Sequence, residues 1–418
     1  MKEVSKKFNL HDKGIKFYRS TKGITLVALV ITIVILIILA VVSINAIFGE
    51  SGLIRYAQDS ERYQANAEAS DSKLLNDATE YIDGIIGGGS SEGDIPSTPI
   101  EVEQAKESGD TFEDTTIIKD DLDNDVTIPG GFHVAEDSGT KIEEGIVIED
   151  DIGNQFVWIP TGTYQTTDAV ETTKTNNLIR RDFKDSEVEE ITENNGDGEI
   201  KVNFRDLETY YYGEGDSRSC TISNGINSID TFKNSATTNK GFYIGRYESG
   251  TEEERKSNSD SFTIPLVQAN KNAYVYITRN QAKVQAEEMY KGNEYITSEL
   301  ISSYAWDTAL NFICQNNEEG YMLAITKDNA YGNIGTGNKE LTGVYEADSY
   351  CNIYDILGNC REWSTEYSSS TPSITGGPCV ARGGYYNDDI RYNAAYRSDI
   401  NEEYSDADNT FRIVLYIK

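Results

Sequence analysis

Histidine is nearly absent: there are two in 418 residues, His11 and His133. A Ser-His-Asp triad or a histidine-rich zinc site would have to be built on His133 alone, because His11 lies in the N-terminal leader; both classes are set aside. Cysteine is scarce too. Cys220, Cys314, Cys351, Cys360 and Cys379 contain no C-x-x-C pair, which excludes a zinc ribbon and a thioredoxin-like motif. An odd count outside the cell leaves at least one thiol unpaired, and the spacing gives no pairing. Basic residues are outnumbered by acidic ones, 37 to 70, for a net charge of −33. Such a polyanion repels nucleic acid, so nucleic-acid binding is excluded. It suits solubility and hard cations such as calcium.

The few basic residues gather at the N-terminus. Residues 1–23 carry Lys2, Lys6, Lys7, Lys13, Lys16, Arg19 and Lys22 against Glu3 and Asp12, which leaves about −38 on the remainder. Residues 24–48 follow, ITLVALVITIVILIILAVVSINAIF, 25 residues without a charge. A helix needs about 20 apolar residues to cross a bilayer core, so this run predicts a transmembrane helix. Positive flanks stay cytoplasmic, which implies a single-pass protein of the cell membrane with its C-terminal domain extracellular. After the break at Phe48-Gly49-Glu50-Ser51-Gly52, residues 49–86 read as an amphipathic helix, with Leu74, Leu75, Ala78, Ile82 and Ile85 at helical spacing. Gly87-Gly88-Gly89-Ser90-Ser91 opens a linker over 87–114. Residues 115–418 form the head, interrupted by a polar insertion over 161–240 with little core of its own. The fold class expected is α+β: a long N-terminal transmembrane and amphipathic helix, then a loop-rich domain.

Within the head, Val126–Val134 has β-branched residues around a Pro-Gly turn, and 146–160 reads as a hairpin with a polar turn at 150–154. Asp120, Asp121, Asp123 and Asp125 lack EF-hand spacing and its late glutamate, so they read as a solvated turn. Residues 241–248 predict a half-buried strand. Thr278 to Gln281 is a capping box, opening a helix with Ala282, Ala286, Met289 and Tyr290 on one face and its end near Gly292. A second helix over 304–315 shows Ala305, Ala309, Phe312 and Ile313.

Lys22-Gly23-Ile24-Thr25-Leu26-Val27, at the edge of the apolar run, resembles the type IV prepilin family. The resemblance implies cleavage after Gly23 by a prepilin peptidase, methylation of the new N-terminus at Ile24, and other pilin subunits as partners in a filament or pseudopilus. The family's usual glutamate at the fifth mature position is Ala28 here. An uncleaved single-pass anchor is the alternative.

Five further pieces keep a common order: Phe156-Val-Trp-Ile-Pro160 with Gly162, Gly241-Phe-Tyr-Ile-Gly-Arg-Tyr-Glu248, Trp306, Tyr354-Asp-Ile-Leu-Gly-Asn-Cys-Arg-Glu-Trp363, and Ala381-Arg-Gly-Gly384 followed by Phe411-Arg412. Together they resemble the formylglycine-generating, or sulfatase-modifying-factor, family, which implies a C-type-lectin-like fold over about 145–418. The family's two reactive cysteines should lie between R-G-G-S and G-F-R. The stretch 382–412 contains none, so copper and catalysis by oxygen activation are not expected. The resemblance implies calcium held by the carboxylates of Asp355 and Glu362 and the carbonyls of Gly358 and Cys360, with Asp355 standing where the family often has asparagine. It also implies that Arg382 and Arg412 form core salt bridges.

Between Arg382 and Arg412, sixteen of 31 residues are Tyr, Asn, Asp or Ser. Antibody paratopes use the same mix, because tyrosine gives stiff amphipathic contact and small polar residues give adaptable hydrogen bonds. A binding face on Tyr385, Tyr386, Asn387, Tyr392 and Tyr396 is expected, for an extracellular protein or glycan. The function expected is therefore a pilin-like surface protein displaying a non-catalytic, calcium-stabilised, adhesin-type head.

Overall fold

The computed structural model describes residues 99–183, 188–190, 204–206, 209–211, 219–221, 225–317, 320–325, 330–345, 348–368, 379–388, 393–401 and 403–418. All of them belong to the compact unit Pro96–Lys418. They correct the α+β expectation. The described residues are mostly β-strands with few helices, and none of the described helices is long and apolar enough to cross a membrane. The transmembrane and amphipathic helices expected over 24–48 and 49–86 fall outside the described residues. Most strands run to only two to five residues. Strands this short carry too little alternation to be seen in the sequence, which is why the β content was underestimated.

The core is a six-stranded antiparallel sheet. In chain order its strands are β1 (Phe132–Val134), β2 (Val147–Asp150), β3 (Gln155–Pro160), β4 (Gly241–Gly245), β5 (Ile296–Leu300) and, at the C-terminus, β10 (Ile413–Ile417). They lie side by side as β5-β10-β4-β3-β2-β1. β4 is buried along its whole length rather than on one face. Helix α1 (Gly225–Thr238) explains the difference: its Phe232 packs edge-on against Phe242 at 5.1 Å and against Tyr416 at 5.7 Å. Tyr243 packs against Trp158 at 5.0 Å. Residues of 161–240 thus add Tyr164, Phe183, Phe232 and Ala236 to the core, and at the other end of the unit Val102–Ser108 is helical with Val102 and Ala105 buried.

A second sheet is built on β6 (Arg361–Ser368), β7 (Cys379–Arg382) and β8 (Arg397–Ile400), with Phe204–Asp206 at its edge. β9 (Asn409–Phe411) runs parallel to the start of β6. Only Arg412 separates β9 from β10, so the chain steps from one sheet to the other across that residue.

Two helices have legible ends. α2 (Arg279–Met289) is capped by Thr278, whose hydroxyl accepts the Gln281 amide at 3.4 Å while the Gln281 side chain accepts the Thr278 amide at 2.9 Å. α3 (Ser303–Asn316) starts on Ser302, which accepts the Ala305 amide at 3.2 Å. The apolar faces Ala282/Ala286 and Ala305/Ala309/Phe312/Ile313 are buried.

One hairpin turn occurs twice. In Asp120-Asp-Leu-Asp-Asn124 and Asp150-Asp-Ile-Gly-Asn154, the first aspartate accepts the amides two and four residues on, at 2.8–3.1 Å, and its second oxygen accepts the asparagine side-chain amide. Each asparagine then accepts an amide from a third segment, Gln165 or Val267. These carboxylates are buried turn organisers rather than solvated groups. Asp150→Ala leaves three donors and the Tyr290 hydroxyl, 2.5 Å away, without their acceptor. We expect it to cost about 2–3 kcal/mol in urea unfolding; a loss below about 0.5 kcal/mol contradicts this role.

Candidate functional site

The segment 354–363 connects the small hairpin Ser349–Tyr350/Ile353–Tyr354 to β6. Its backbone is wound tightly. Asp355 and Asn359 lie in the left-handed region at φ +58° and +49°. Gly358, at φ +90°, passes so close to Asn333 that a Cβ would sit 2.3 Å from the Asn333 carbonyl oxygen. Only glycine fits both conditions. The next amide, Asn359, donates to that same oxygen at 2.9 Å.

Arg412 is buried where the two sheets meet. Its Nε and Nη2 donate to the two oxygens of Glu362 at 2.8 and 2.5 Å, and its remaining donors reach the carbonyls of Gly245 and Tyr354. This bidentate pair sits at a strand junction with no exposure. It bears directly on the calcium ligand set implied by the family resemblance. A dication at Glu362 would share one carboxylate with a buried guanidinium of the same sign, so Asp355, Gly358, Cys360 and Glu362 do not fit calcium as a set. Cys360 is fully buried against Ala273 and Val275, its Sγ 3.8 Å from the Ala407 carbonyl, and burial pushes its thiol well above the usual range.

Two acids that the sequence did not single out lie beside this pair. Glu248 follows β4 and Asp348 precedes the hairpin; both are fully buried. Glu248 Oε1 accepts the Asn359 side-chain amide, and Oε2 has no partner. Neither oxygen of Asp348 has a hydrogen bond of good geometry, although the Leu357 amide eases its charge. Asp355 Oδ2 accepts the Gly343 amide at 2.7 Å. Burial pushes the Glu248 and Asp348 carboxyls well above the usual carboxylate range, Asp355 up to about 6, and Glu362 up to about 7 against the pull of Arg412.

A second buried charge group ties α3 to the second sheet. Asp307 accepts from Arg382 and Arg397 at 2.7 and 2.6 Å, and Glu366 accepts from the same two arginines at 3.3 and 2.8 Å. The Arg181 amide adds a bond to Asp307 at 2.8 Å. Arg382 and Arg412 thus occupy core salt bridges.

At the surface, Tyr385 and Tyr386 stand edge to face at 5.6 Å. The Arg361 guanidinium lies over the Tyr385 ring at 4.0 Å and reaches Asp388 at 3.7 Å. Tyr386 donates its hydroxyl to Asp408 at 3.0 Å, and its amide donates to the Asn359 carbonyl at 3.0 Å. Asn387 is exposed beside them. Tyr404, 46% exposed, has its hydroxyl bound to Asp406 and pushed up to about 12. Tyr396 is exposed one residue before β8. Among the expected face residues, then, Tyr385, Tyr386 and Asn387 share one tip, Tyr396 stands at the head of a strand, and Tyr392 lies outside the described residues. Gly23 and Ile24 also lie outside them.

No family profile and no curated protein matches this chain. Solved structures overlap it weakly. CarF aligns at 14% identity over 43% of this chain and 87% of its own, with a TM-score of 0.31. Variable protein 1 of Treponema denticola aligns at 13% over 42% and 84%, with a TM-score of 0.27. PvdO from Pseudomonas aeruginosa aligns at 13% over 65% and 97%, with a TM-score of 0.31. Overlaps this weak assign neither a prepilin-type leader nor the formylglycine-generating family.

Glu248, Asp348, Arg361 and Asp307 escaped the sequence reading, because each gains its meaning from a partner far along the chain. One local signal existed for Asp348. In Asp348-Ser-Tyr-Cys-Asn-Ile-Tyr-Asp355 two acids bracket a short hairpin whose register pairs Ser349 with Tyr354 and Tyr350 with Ile353.

Proposed function

We propose that the head, residues 96–418, is a non-catalytic binding module of a pilin-like surface protein, acting outside the cell on a protein or glycan. The observation that supports this best is the Tyr385–Tyr386 tip. Its rings are held by Arg361 and Asp408, so they would contact a ligand without losing much rotamer freedom. The ordered motifs also support kinship with the formylglycine-generating family without its chemistry. Cys360 and Cys379 are buried and Cys314 and Cys351 half-buried, and burial pushes the thiols of Cys314 and Cys351 up to about 12, away from the reactive thiolate. Incubating the protein with copper and a sulfatase-type cysteine peptide should yield no aldehyde; aldehyde formation would overturn the reading. Processing between Gly23 and Ile24 belongs to the same proposal, and N-terminal sequencing checks it: a mature protein starting at Ile24 supports it, an intact Met1 refutes it.

A further inference from the structure

A cleft of about 300 Å³ opens between the turn 120–124 and the hairpin Gly162–Gln165/Thr173–Asn176. That volume lies at the lower end of the range for small-ligand sites. Ile142, Pro160 and Tyr164, all buried, form its floor. Asn124 ties its two walls together: Oδ1 accepts the Gln165 amide at 2.7 Å, and Nδ2 donates to the Gln165 carbonyl at 3.0 Å. The cleft is therefore shaped before any ligand enters.

Four charged groups line this cleft as a row of alternating sign. Asp123 accepts from Lys119 at 3.3 Å, Lys119 donates to one oxygen of Asp125 at 2.8 Å, and the other oxygen of Asp125 accepts from Lys240 at 2.8 Å. The inner two are spent. Lys119 uses its third donor on the Asp123 carbonyl at 3.1 Å, and both oxygens of Asp125 are taken. The outer two are not. Asp123, 79% exposed, gives one oxygen to Lys119, and Lys240, 66% exposed, gives one of its three donors to Asp125. One end of the row thus offers a carboxylate oxygen and the other offers ammonium donors. Both end residues have positive φ, +65° at Asp123 and +58° at Lys240. Aspartate visits that region readily, whereas lysine does not. Lys240 comes two residues after α1 ends, where glycine or asparagine is the usual choice, and its carbonyl accepts the Thr161 amide at 2.8 Å, which pins it to the cleft wall. A lysine held in a strained backbone at the mouth of a cleft points to a use for its side chain.

We propose that this cleft binds a small zwitterion, an α-amino acid or a dipeptide, with the ligand's ammonium group on Asp123 and its carboxylate on Lys240. The charges of the row sum to zero. A plain anion would meet two carboxylates there, and a plain cation two ammonium groups, whereas a ligand charged oppositely at its two ends meets the matching sign at each. Thr163, Gln165 and Thr173, all exposed, border the space between and carry the donors and acceptors that a peptide group needs. Because the end groups stand in water, binding is modest in strength and weakens as salt is added. The cleft shares no residue with the Tyr385–Tyr386 tip, so the two readings fail separately.

Full-length protein at low salt is titrated by calorimetry and ligand-observed NMR with glycine, alanylalanine, N-acetyl-alanylalanine, alanylalanine amide and methyl glucoside. The expected result is one site for glycine or alanylalanine, and at least tenfold weaker binding of both blocked dipeptides and of the neutral sugar. The tighter of the two zwitterions gives the charge spacing that the cleft takes, a single residue or a peptide. Lys240→Gly and Asp123→Asn should each weaken that ligand at least tenfold. Lys240→Gly should do so with its Tm within a few degrees of wild type, because glycine adopts the positive φ without strain. Tyr385→Ala should bind it as wild type. No binding of either zwitterion at millimolar concentration overturns the proposal. So does equal affinity for a blocked dipeptide or the sugar, or wild-type affinity in Lys240→Gly. Should Asp123→Asn fail to fold, Lys240→Gly and the blocked dipeptides decide.

Discussion

Asp307→Ala is expected to destabilise the head by about 3–5 kcal/mol, the largest effect of any single substitution considered. Asp307 receives Arg382, Arg397 and the Arg181 amide, all buried. Without it, Arg382 and Arg397 are left with Glu366 as their one carboxylate, which Arg180 also approaches at 3.8 Å, in a site with little solvent to neutralise the excess charge. Breaking a buried ion network by removing one partner costs far more than the network contributes, because the remaining charge stays desolvated. A domain of this kind holds about 5–15 kcal/mol in total, so the variant should unfold well below the wild-type denaturant midpoint. Asp307→Asn keeps the shape and one acceptor and should lose less. Equal losses in the two variants would mean that the lost charge, not packing, sets the cost.

Arg412→Met stands beside it, at about 3–5 kcal/mol by the same reasoning. The apolar stem keeps most of the volume. The guanidinium that neutralises Glu362 and bridges the Gly245 and Tyr354 carbonyls is lost, and four buried acids are left with no cation. Urea unfolding with chelator present reads the loss directly. A variant within 1 kcal/mol of wild type under chelator would show that the pair adds little.

The legible parts of this fold are those whose cause is local. The Thr278–Gln281 capping box and the i, i+4 alanines of α2 and α3 need only a few neighbouring residues, and both helices form where the spacing puts them. Phe156 to Pro160 reads as a strand because its run is apolar and β-branched, and it is one. The turns at Asp120 and Asp150 were visible, but not their burial, since that depends on Gln165, Val267 and Tyr290 arriving from elsewhere. The β-rich balance was missed because β7, β8 and β9 are short and find their partners far along the chain, β7 and β9 on β6 and β8 on β7. At the candidate site, Asp355, Gly358 and Glu362 could be named from one motif, whereas the pairing of Glu362 with Arg412 spans 50 residues and that of Glu248 with Asn359 spans 111. Carboxylates look alike in a sequence, and which of them a guanidinium reaches is settled only by the fold.

The account rests most heavily on the Tyr385–Tyr386 tip as a binding face. Purified full-length protein applied to an array of glycans and of lysine-bearing peptides tests it most directly, with wild type beside Tyr385→Ala and Tyr386→Ala. The account predicts saturable binding to at least one member, weakened tenfold or more in both variants while their Tm stays within a few degrees of wild type. Binding that both variants retain at full strength, or no binding to any member of either array, would contradict it.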